Sequence, residues 1–383
     1  MNKKNDTRLL AIVTLFWFAQ YVFVPYLSPH LAALGIGASF AGTILGMYGM
    51  AQLILRIPIS VGEDCVGHDR IFMGAGLVTL GIGGALPLFS DAPVVYLLSR
   101  LLTGVGASTW VSFTASFTRG YENAKSRMGQ LIAANNLGVL ISYVLGGVVY
   151  QMAGIKPLFA LSACVTVISL VLLPGVQVTP VSGDRRFSLK AIFKTLLNKH
   201  LLICAFLCAL MQLIAFATTQ SFVNNYAQTL GVSGFGLSLV AIAFYVAGVA
   251  ASSAFAKGVF SRMTERAFLA MAFGVIALYC AVLPVCRNVA TIILAQLLGG
   301  VGRTLVYTHL MAVCSAEAKP EQKTTAMGIF QSLYSVGMTL GPIVMGNILD
   351  ANGSSYEISF LWMALFAVAG IVLSVVLWPK NRK

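Results

Sequence analysis

The sequence predicts an all-α polytopic membrane protein with twelve transmembrane helices in two pseudo-symmetric six-helix halves. Three observations carry that expectation. The 383 residues are 58% hydrophobic and only 10% charged, where soluble domains carry about 25% charge. Long apolar runs recur between charged or turn-rich breaks. The two halves of the chain also repeat each other at a shift of 196 to 199 residues.

A spanning helix needs about 20 mostly apolar residues. Twelve segments qualify, at 9–31, 39–61, 71–90, 94–117, 129–151, 157–174, 201–225, 236–257, 267–286, 289–314, 325–349 and 356–378. They are continuous apolar runs without the period-two alternation of a membrane β-barrel. No signal-peptide pattern precedes a soluble body, so the first span is expected to be retained as a helix.

Lys and Arg fall almost entirely on one side of this topology. Lys3, Lys4 and Arg8 precede span 1, and Arg70, Arg119, Lys125 and Arg127 occupy even-numbered loops. Arg185, Arg186, Lys190, Lys194 and Lys199 lie in the central loop, with Arg262, Arg266, Lys319, Lys323, Lys380, Arg382 and Lys383 further on. Only Lys156 and Arg287 fall opposite. By the positive-inside rule both termini are cytoplasmic, in the plasma (inner) membrane. The net charge of +13 is then a topology signal and not a nucleic-acid footprint. The seven cysteines show no metal-ligand spacing, and Cys204 and Cys208 read as small apolar filler.

The repeat is specific. A shift of 196 lays Leu101–Gly106 (LLTGVG) on Leu297–Gly302 (LLGGVG), so span 4 matches span 10. A shift of 199 lays Met128, Gly129, Gly138, Gly147 and Gly154 on Met327, Gly328, Gly337, Gly346 and Gly353, so span 5 matches span 11. Leu34-Gly35-Ile36 is echoed by Leu230-Gly231-Val232. The chain divides into an N-terminal half (1–174), a linker (175–200) and a C-terminal half (201–383). The linker holds FSLKAIFKTLLNKH, a basic amphipathic segment suited to a membrane interface. An even number of spans per half makes this a parallel duplication, which places a site between the halves near the midplane. Gly138 with Ser142, and Gly337 with Gly341, form small-xxx-small faces for close helix approach.

These features and several short motifs resemble a major facilitator superfamily (MFS) secondary transporter over the whole length. That family's loop between helices 2 and 3 follows G-x-x-x-D-R-x-G-R-R; here Ser60–Arg70 reads SVGEDCVGHDR. Asp64, Gly67 and Arg70 survive in register or nearby, whereas Ser60, Cys65, His68 and Asp69 depart. The resemblance implies a latch between halves, with Asp64 in the acidic role. Arg100 to Ser108 (RLLTGVGAS) is similar to the helix 4 motif R-x-x-Q-G-x-G-A-A, with Thr103 replacing glutamine and Gly104 retained. The drug-antiporter motif G-x-x-x-G-P-x-x-G-G appears as GVLISYVLGG from Gly138, without its proline; Gly337 to Pro342 in span 11 is the cleaner match. The weakened motif argues against assuming drug/proton exchange. The resemblance also implies that helices 1, 4, 7 and 10 line a cavity, with 5 and 11 beside them.

Ionisable groups in the hydrocarbon cost about 2.5–3.5 kcal/mol on insertion scales and mark function. The carboxylates, Asp64 among them, all fall in loops or at helix ends, and Arg100 and Arg303 are the basic residues read as lying well inside spans. A buried guanidinium needs a counter-charge or several acceptors. Arg303, near the midplane, is completed either by an anionic substrate (carboxylate or phosphate) on its planar donor fork, or by carbonyls, tyrosines or cavity water. Arg100 reads as structural. Neighbours at helical spacing are Gln296 and Tyr307 on span 10; Trp17, Gln20 and Tyr21 on span 1; and Gln212 and Thr219 on span 7. Asn135 and Asn136 on span 5, and Gln331 and Tyr334 on span 11, complete the candidate binding set.

Proton-driven members commonly use a buried acid, and none is read at membrane depth. His309, which could titrate near neutrality, reads as packing. The expectation is therefore a secondary transporter, symporter or antiporter, of a small organic anion. It needs no cofactor or metal, works as a monomer, and has the substrate and the lipid bilayer as its partners. Efflux of drugs or amphipathic compounds, and a neutral sugar or nucleoside carrier, are the alternatives. A membrane enzyme has no HExxH, nucleophile elbow or carboxylate cluster in its favour, and ATP-driven transport has no Walker motif.

Overall fold

The computed structural model describes residues 3–66, 68–118, 124–177, 198–317 and 323–379. Twelve helical spans cross it: α1 (Lys4–Ala33), α2 (Ala38–Glu63), α3 (Asp69–Leu88), α4 (Pro93–Thr118), α5 (Arg127–Ala153), α6 (Lys156–Gly175), α7 (Lys199–Thr229), α8 (Phe235–Ala256), α9 (Glu265–Val285), α10 (Val289–Ala316), α11 (Ala326–Ala351) and α12 (Tyr356–Leu377). No strand occurs among the described residues. The amphipathic linker segment lies outside them apart from its last three residues. Of these, Asn198 caps α7 by accepting from the His200 and Leu201 amides at 3.0 and 3.2 Å.

α1 and α7 are each broken within the apolar run and continue beyond the break. α1 turns at Val22–Phe23, and Pro25, in the first turn of the second segment, has no N–H to give the preceding turn. α7 carries a π-turn over Thr218–Phe222. The breaks are repeat-related: Phe23 (φ −101°, ψ −9°) and Phe222 (φ −103°, ψ −9°) lie 199 residues apart.

The packing repeats as well. α1 packs on α5, α2 on α4, and α3 on α4 and α6; α7 packs on α11, α8 on α10, and α9 on α10 and α12. The small residues of the repeated motif explain why. A Cβ on Gly104 would lie 2.6 Å from the Tyr48 carbonyl oxygen, and one on Gly300 would lie 2.0 Å from that of Phe244. Only glycine lets α4 and α10 approach their partners so closely. The echoed Gly35 and Gly231 have φ +75° and +80°, and Gly154 and Gly353 have +73° and +62°. All four end helices in the left-handed conformation that glycine adopts freely.

Between the halves, α2 packs on α11 and α5 on α8, and the outer segment of α1 meets α7. At the end opposite the termini the halves are tied together. Asn224 Nδ2 donates to Pro25 O at 2.6 Å, Asn225 Nδ2 to Ser28 O at 3.3 Å, and Ser39 Oγ to Asn347 Oδ1 at 2.6 Å. Tyr26 and Ser238 also share a hydrogen bond there.

Several expected gating residues act inside one half. Gly138 abuts Thr14 O on α1, and Gly337 abuts Ala209 O on α7. Arg70 donates to Pro174 O and Val176 O at 3.1 and 3.4 Å, joining α3 to the end of α6. The inter-half latch that the resemblance implied is therefore not made by Arg70; the Asp64 side chain and Gly67 lie outside the described residues. Among the described residues of that set, Pro342 is the one on an inter-half seam, facing Gly42 of α2.

Candidate functional site: a cavity between the halves

A cavity of about 260 Å³ lies between the halves. It reaches Met128 in the first turn of α5 and Ser252 near the last turn of α8, so it opens toward the end carrying the chain termini. Its walls come from both halves, and among the described residues lining it there is no Asp or Glu.

Helical periodicity delivers the side chains. α1 gives Trp17 and Tyr21, one turn apart; α7 gives Gln212 and Phe216, also one turn apart. Under the 199-residue shift Phe216 is the counterpart of Trp17, so the two half-breaks each sit just beyond an aromatic wall residue. α10 contributes Arg303 and Tyr307, α11 contributes Tyr334, and α5 contributes Asn135 and Asn136.

Arg303 is half-buried over the Tyr307 ring, 5.5 Å from its centroid. Among the described residues its guanidinium has neither a hydrogen bond nor an ion pair. Tyr307 meets Tyr334 edge-on at 5.9 Å. Tyr334 in turn accepts a hydrogen bond from a second arginine, Arg56 of α2, at 3.0 Å.

Arg56 corrects the reading that only Arg100 and Arg303 lie inside spans. It is 4% exposed and lines the cavity. Its Nη1 donates to Gln331 Oε1 at 3.0 Å, its Nη2 donates to Gln52 Oε1, and its Nε has no partner. The signal was present in the sequence, since Tyr48, Gln52 and Arg56 form an i, i+4, i+8 stripe within 39–61. Tyr48, Trp110 and Tyr245, also absent from the expected set, complete the walls.

Three expected contacts face a neighbouring helix instead. Gln20 Nε2 donates to Thr103 O at 2.9 Å, joining α1 to α4. Gln296 Oε1 accepts from Tyr279 at 2.7 Å and from Thr219 at 3.0 Å, joining α10 to α9 and α7. Gln20 and Thr219 occupy repeat-related positions, 199 residues apart, and each bonds a helix of its own half. Gln331 reaches the cavity only through Arg56. Arg100 is 5% exposed, stacks over Tyr48 at 4.5 Å from the ring centroid, and stays off the cavity wall. His309 packs among Phe255, Phe268 and Trp378.

Glu63 is at a helix end as expected, yet it is buried, accepting from Ser112 of α4 at 2.7 Å. Asp6 holds Arg127 through two bonds of 2.7 and 2.8 Å. Both acids are therefore engaged away from the cavity.

Twelve spans in two repeated halves, closed over a polar cavity at one end and open to it at the other, are the architecture of a polytopic membrane transporter. The chain belongs to the Major Facilitator Superfamily, whose family model matches residues 9–289 and 205–383. It is 21% identical over 382 residues to an uncharacterized MFS-type transporter of Methanocaldococcus jannaschii, covering 94% of this chain and 96% of that one. It is 22% identical to a multi-drug resistance efflux pump PmrA homolog of Lactococcus lactis, covering 99% and 96%. A match to the MFS-type transporter ppzB of Metarhizium rileyi is 31% identical but spans 35% of this chain and 28% of the relative. Among solved structures, the nucleoside transporter NupG superposes with a TM-score of 0.77 at 15% identity over 100% of both chains. An inward-facing bacterial homolog of the lysosomal transporter Spinster gives 0.75 at 13% identity, covering 100% and 99%.

Proposed function

We propose that this MFS transporter moves a small organic anion, a carboxylate or phosphate, by alternating access between its halves. One observation carries the reading: two arginines line the cavity and no acid among the described residues lines it with them. A guanidinium at membrane depth without a counter-charge is costly, and an anion accepting from Arg303 supplies the missing partner through charge-assisted bonds. Arg56 already bridges to α11 of the opposite half. An anion that also engages it would join the two halves through the substrate, which is what coupling transport to rocking requires.

The open end is the cytoplasmic one in this proposal, because Lys and Arg concentrate in the loops and termini on that side. The membrane is the plasma (inner) membrane. The second reading is a neutral solute such as a nucleoside, which the amides of Asn135, Asn136 and Gln212 on the cavity wall favour.

A thermal-shift screen of purified protein against anionic, neutral and cationic solutes, with Arg303→Gln in parallel, separates the two. Stabilisation by anions that disappears in the variant is the expected result, and flux of the same anions into liposomes follows from it. Stabilisation by neutral or cationic solutes, equal in the variant, would overturn the proposal.

A further inference from the structure

Nine of the cavity's twenty-five lining residues are aromatic, against 10% of the chain. They are arranged as walls. Trp17 meets Trp110 edge-on at 5.3 Å and lies beside Tyr21 at 5.8 Å; Tyr21 leads on to Tyr245 at 6.0 Å. Across the cavity floor Tyr48 and Phe216 hold their ring planes within 16° of each other. Tyr307 and Tyr334 join this aromatic surface to the two arginines.

Besides Arg56 with its Nε, two further wall residues hold buried polar atoms with nothing to bond. The indole Nε1 of Trp17 has no acceptor and the Oε1 of Gln212 has no donor, although these residues are only 8% and 3% exposed. Buried polar groups left unpaired are costly, and both belong to the cavity wall. A solute that completes the site therefore brings an acceptor for the indole, a donor for the glutamine carbonyl and a negative charge for Arg303. It also brings a flat face for rings that prefer stacked or edge-on partners. The volume, just below the roughly 300–1,000 Å³ of drug-sized pockets, suits one ring better than a fused polycycle.

Resting on the anion reading above, we infer that the substrate class is an aromatic carboxylate bearing a hydroxyl or amino donor. A short aliphatic diacid satisfies the arginines but leaves the aromatic walls and Gln212 unmatched. A neutral nucleoside matches the walls but leaves Arg303 uncompensated.

The test is calorimetric titration of the wild-type protein with five probes: 4-hydroxybenzoate, benzoate, cyclohexanecarboxylate, succinate and benzamide. The expected order has 4-hydroxybenzoate tightest, benzoate next, and cyclohexanecarboxylate and succinate weaker than benzoate by about tenfold, the scale of a lost aromatic contact and its fit. Gln212→Leu should erase the gap between 4-hydroxybenzoate and benzoate, both measured in the variant. Equal binding of benzoate and cyclohexanecarboxylate, or a preference for succinate, overturns the aromatic inference and leaves the anion reading standing. A gap that persists in Gln212→Leu overturns the donor assignment. Binding of benzamide alone overturns the anion reading itself, and binding of no probe overturns the aromatic carboxylate inference.

Discussion

The two seams that join the halves are related by the repeat and built differently. On α2, a Cβ at Gly42 would lie 2.2 Å from Pro342 O, one at Gly46 would lie 2.6 Å from Thr339 O, and one at Gly49 would lie 2.6 Å from Thr339 N. The seam with α11 is thus backbone against backbone over three successive turns. Shifting by 196 residues puts Ser238, Ile242 and Tyr245 at these positions on α8. The α5/α8 seam must accommodate those side chains, and Tyr245 stands against Tyr143 of α5 with ring centroids 5.5 Å apart. The cavity opens along this second seam, where Ile132 of α5 and Val249 of α8 are exposed. Equivalent helices in one fold can thus serve as a closed rail and as a parting edge, and the difference lies in whether side chains stand between the backbones.

The strongest way to break this contrast is to overpack the rail. Gly46→Leu should destabilise by about 3 kcal/mol or more, since the obstructing atoms are backbone and cannot change rotamer. Ile242→Leu at the equivalent α8 position should cost less than about 1.5 kcal/mol. Thermal unfolding in detergent measures both; similar losses at the two sites would remove the distinction.

The arginines sharpen it further. Arg56→Gln removes charge-assisted bonds that cross from α2 to Gln331 and Tyr334, so the ligand-free protein should lose about 1.5–3 kcal/mol. Arg303→Gln removes a cation with no hydrogen-bonding partner among the described residues, so ligand-free stability should hold or rise while anion binding falls by roughly tenfold or more. Denaturant titration paired with anion titration distinguishes the two residues.

A smaller effect is expected on the parting edge. Tyr245 OH accepts from Gln220 Nε2 at 2.8 Å, so Tyr245→Phe should cost about 1 kcal/mol and leave anion affinity nearly unchanged.

The smallest effect lies away from both seams. Hydrogen bonds from Lys156 and Tyr96, both at 2.6 Å, hold the Asp91 carboxyl below its ordinary pKa. A depressed folded-state pKa contributes stability above the unfolded value of about 3.9, and that stability is lost as pH falls through the lower folded value. The group is half-exposed, so the contribution is well under 1 kcal/mol, as about 0–1 is the range for surface pairs. Asp91→Asn should lower the neutral plateau of a melting-temperature profile slightly and flatten its acid limb.

Much of the fold was legible. The spans, the 196 and 199 shifts and the helix-ending glycines follow from hydropathy and local backbone preference, and they reappear in the structure with small changes at helix ends. The breaks in α1 and α7 were not visible as breaks, although Pro25 marks the first; the π-turn of α7 has no comparable residue signal. Of the candidate site, Trp17, Tyr21, Asn135, Asn136, Gln212, Arg303, Tyr307 and Tyr334 line the cavity. Gln20, Thr219 and Gln296 lie on the expected helices but turn to a neighbour inside their own half. Arg56 was passed over because it sits near one end of its span, where a long side chain is ordinarily read as reaching for the interface.

The sequence by itself determined the membrane class, the number of spans, the duplication and the presence of unmatched arginines. Those properties depend on composition, length and local periodicity, which each segment carries alone. Tertiary structure decided which polar side chains meet the cavity and which seam parts. A helix in lipid is apolar nearly all round, so its pattern does not set its rotation about its own axis; contacts with its neighbours do. Gln296 and Arg303, two turns apart on one helix, show the consequence: α9 and α7 claim the first, and the cavity keeps the second.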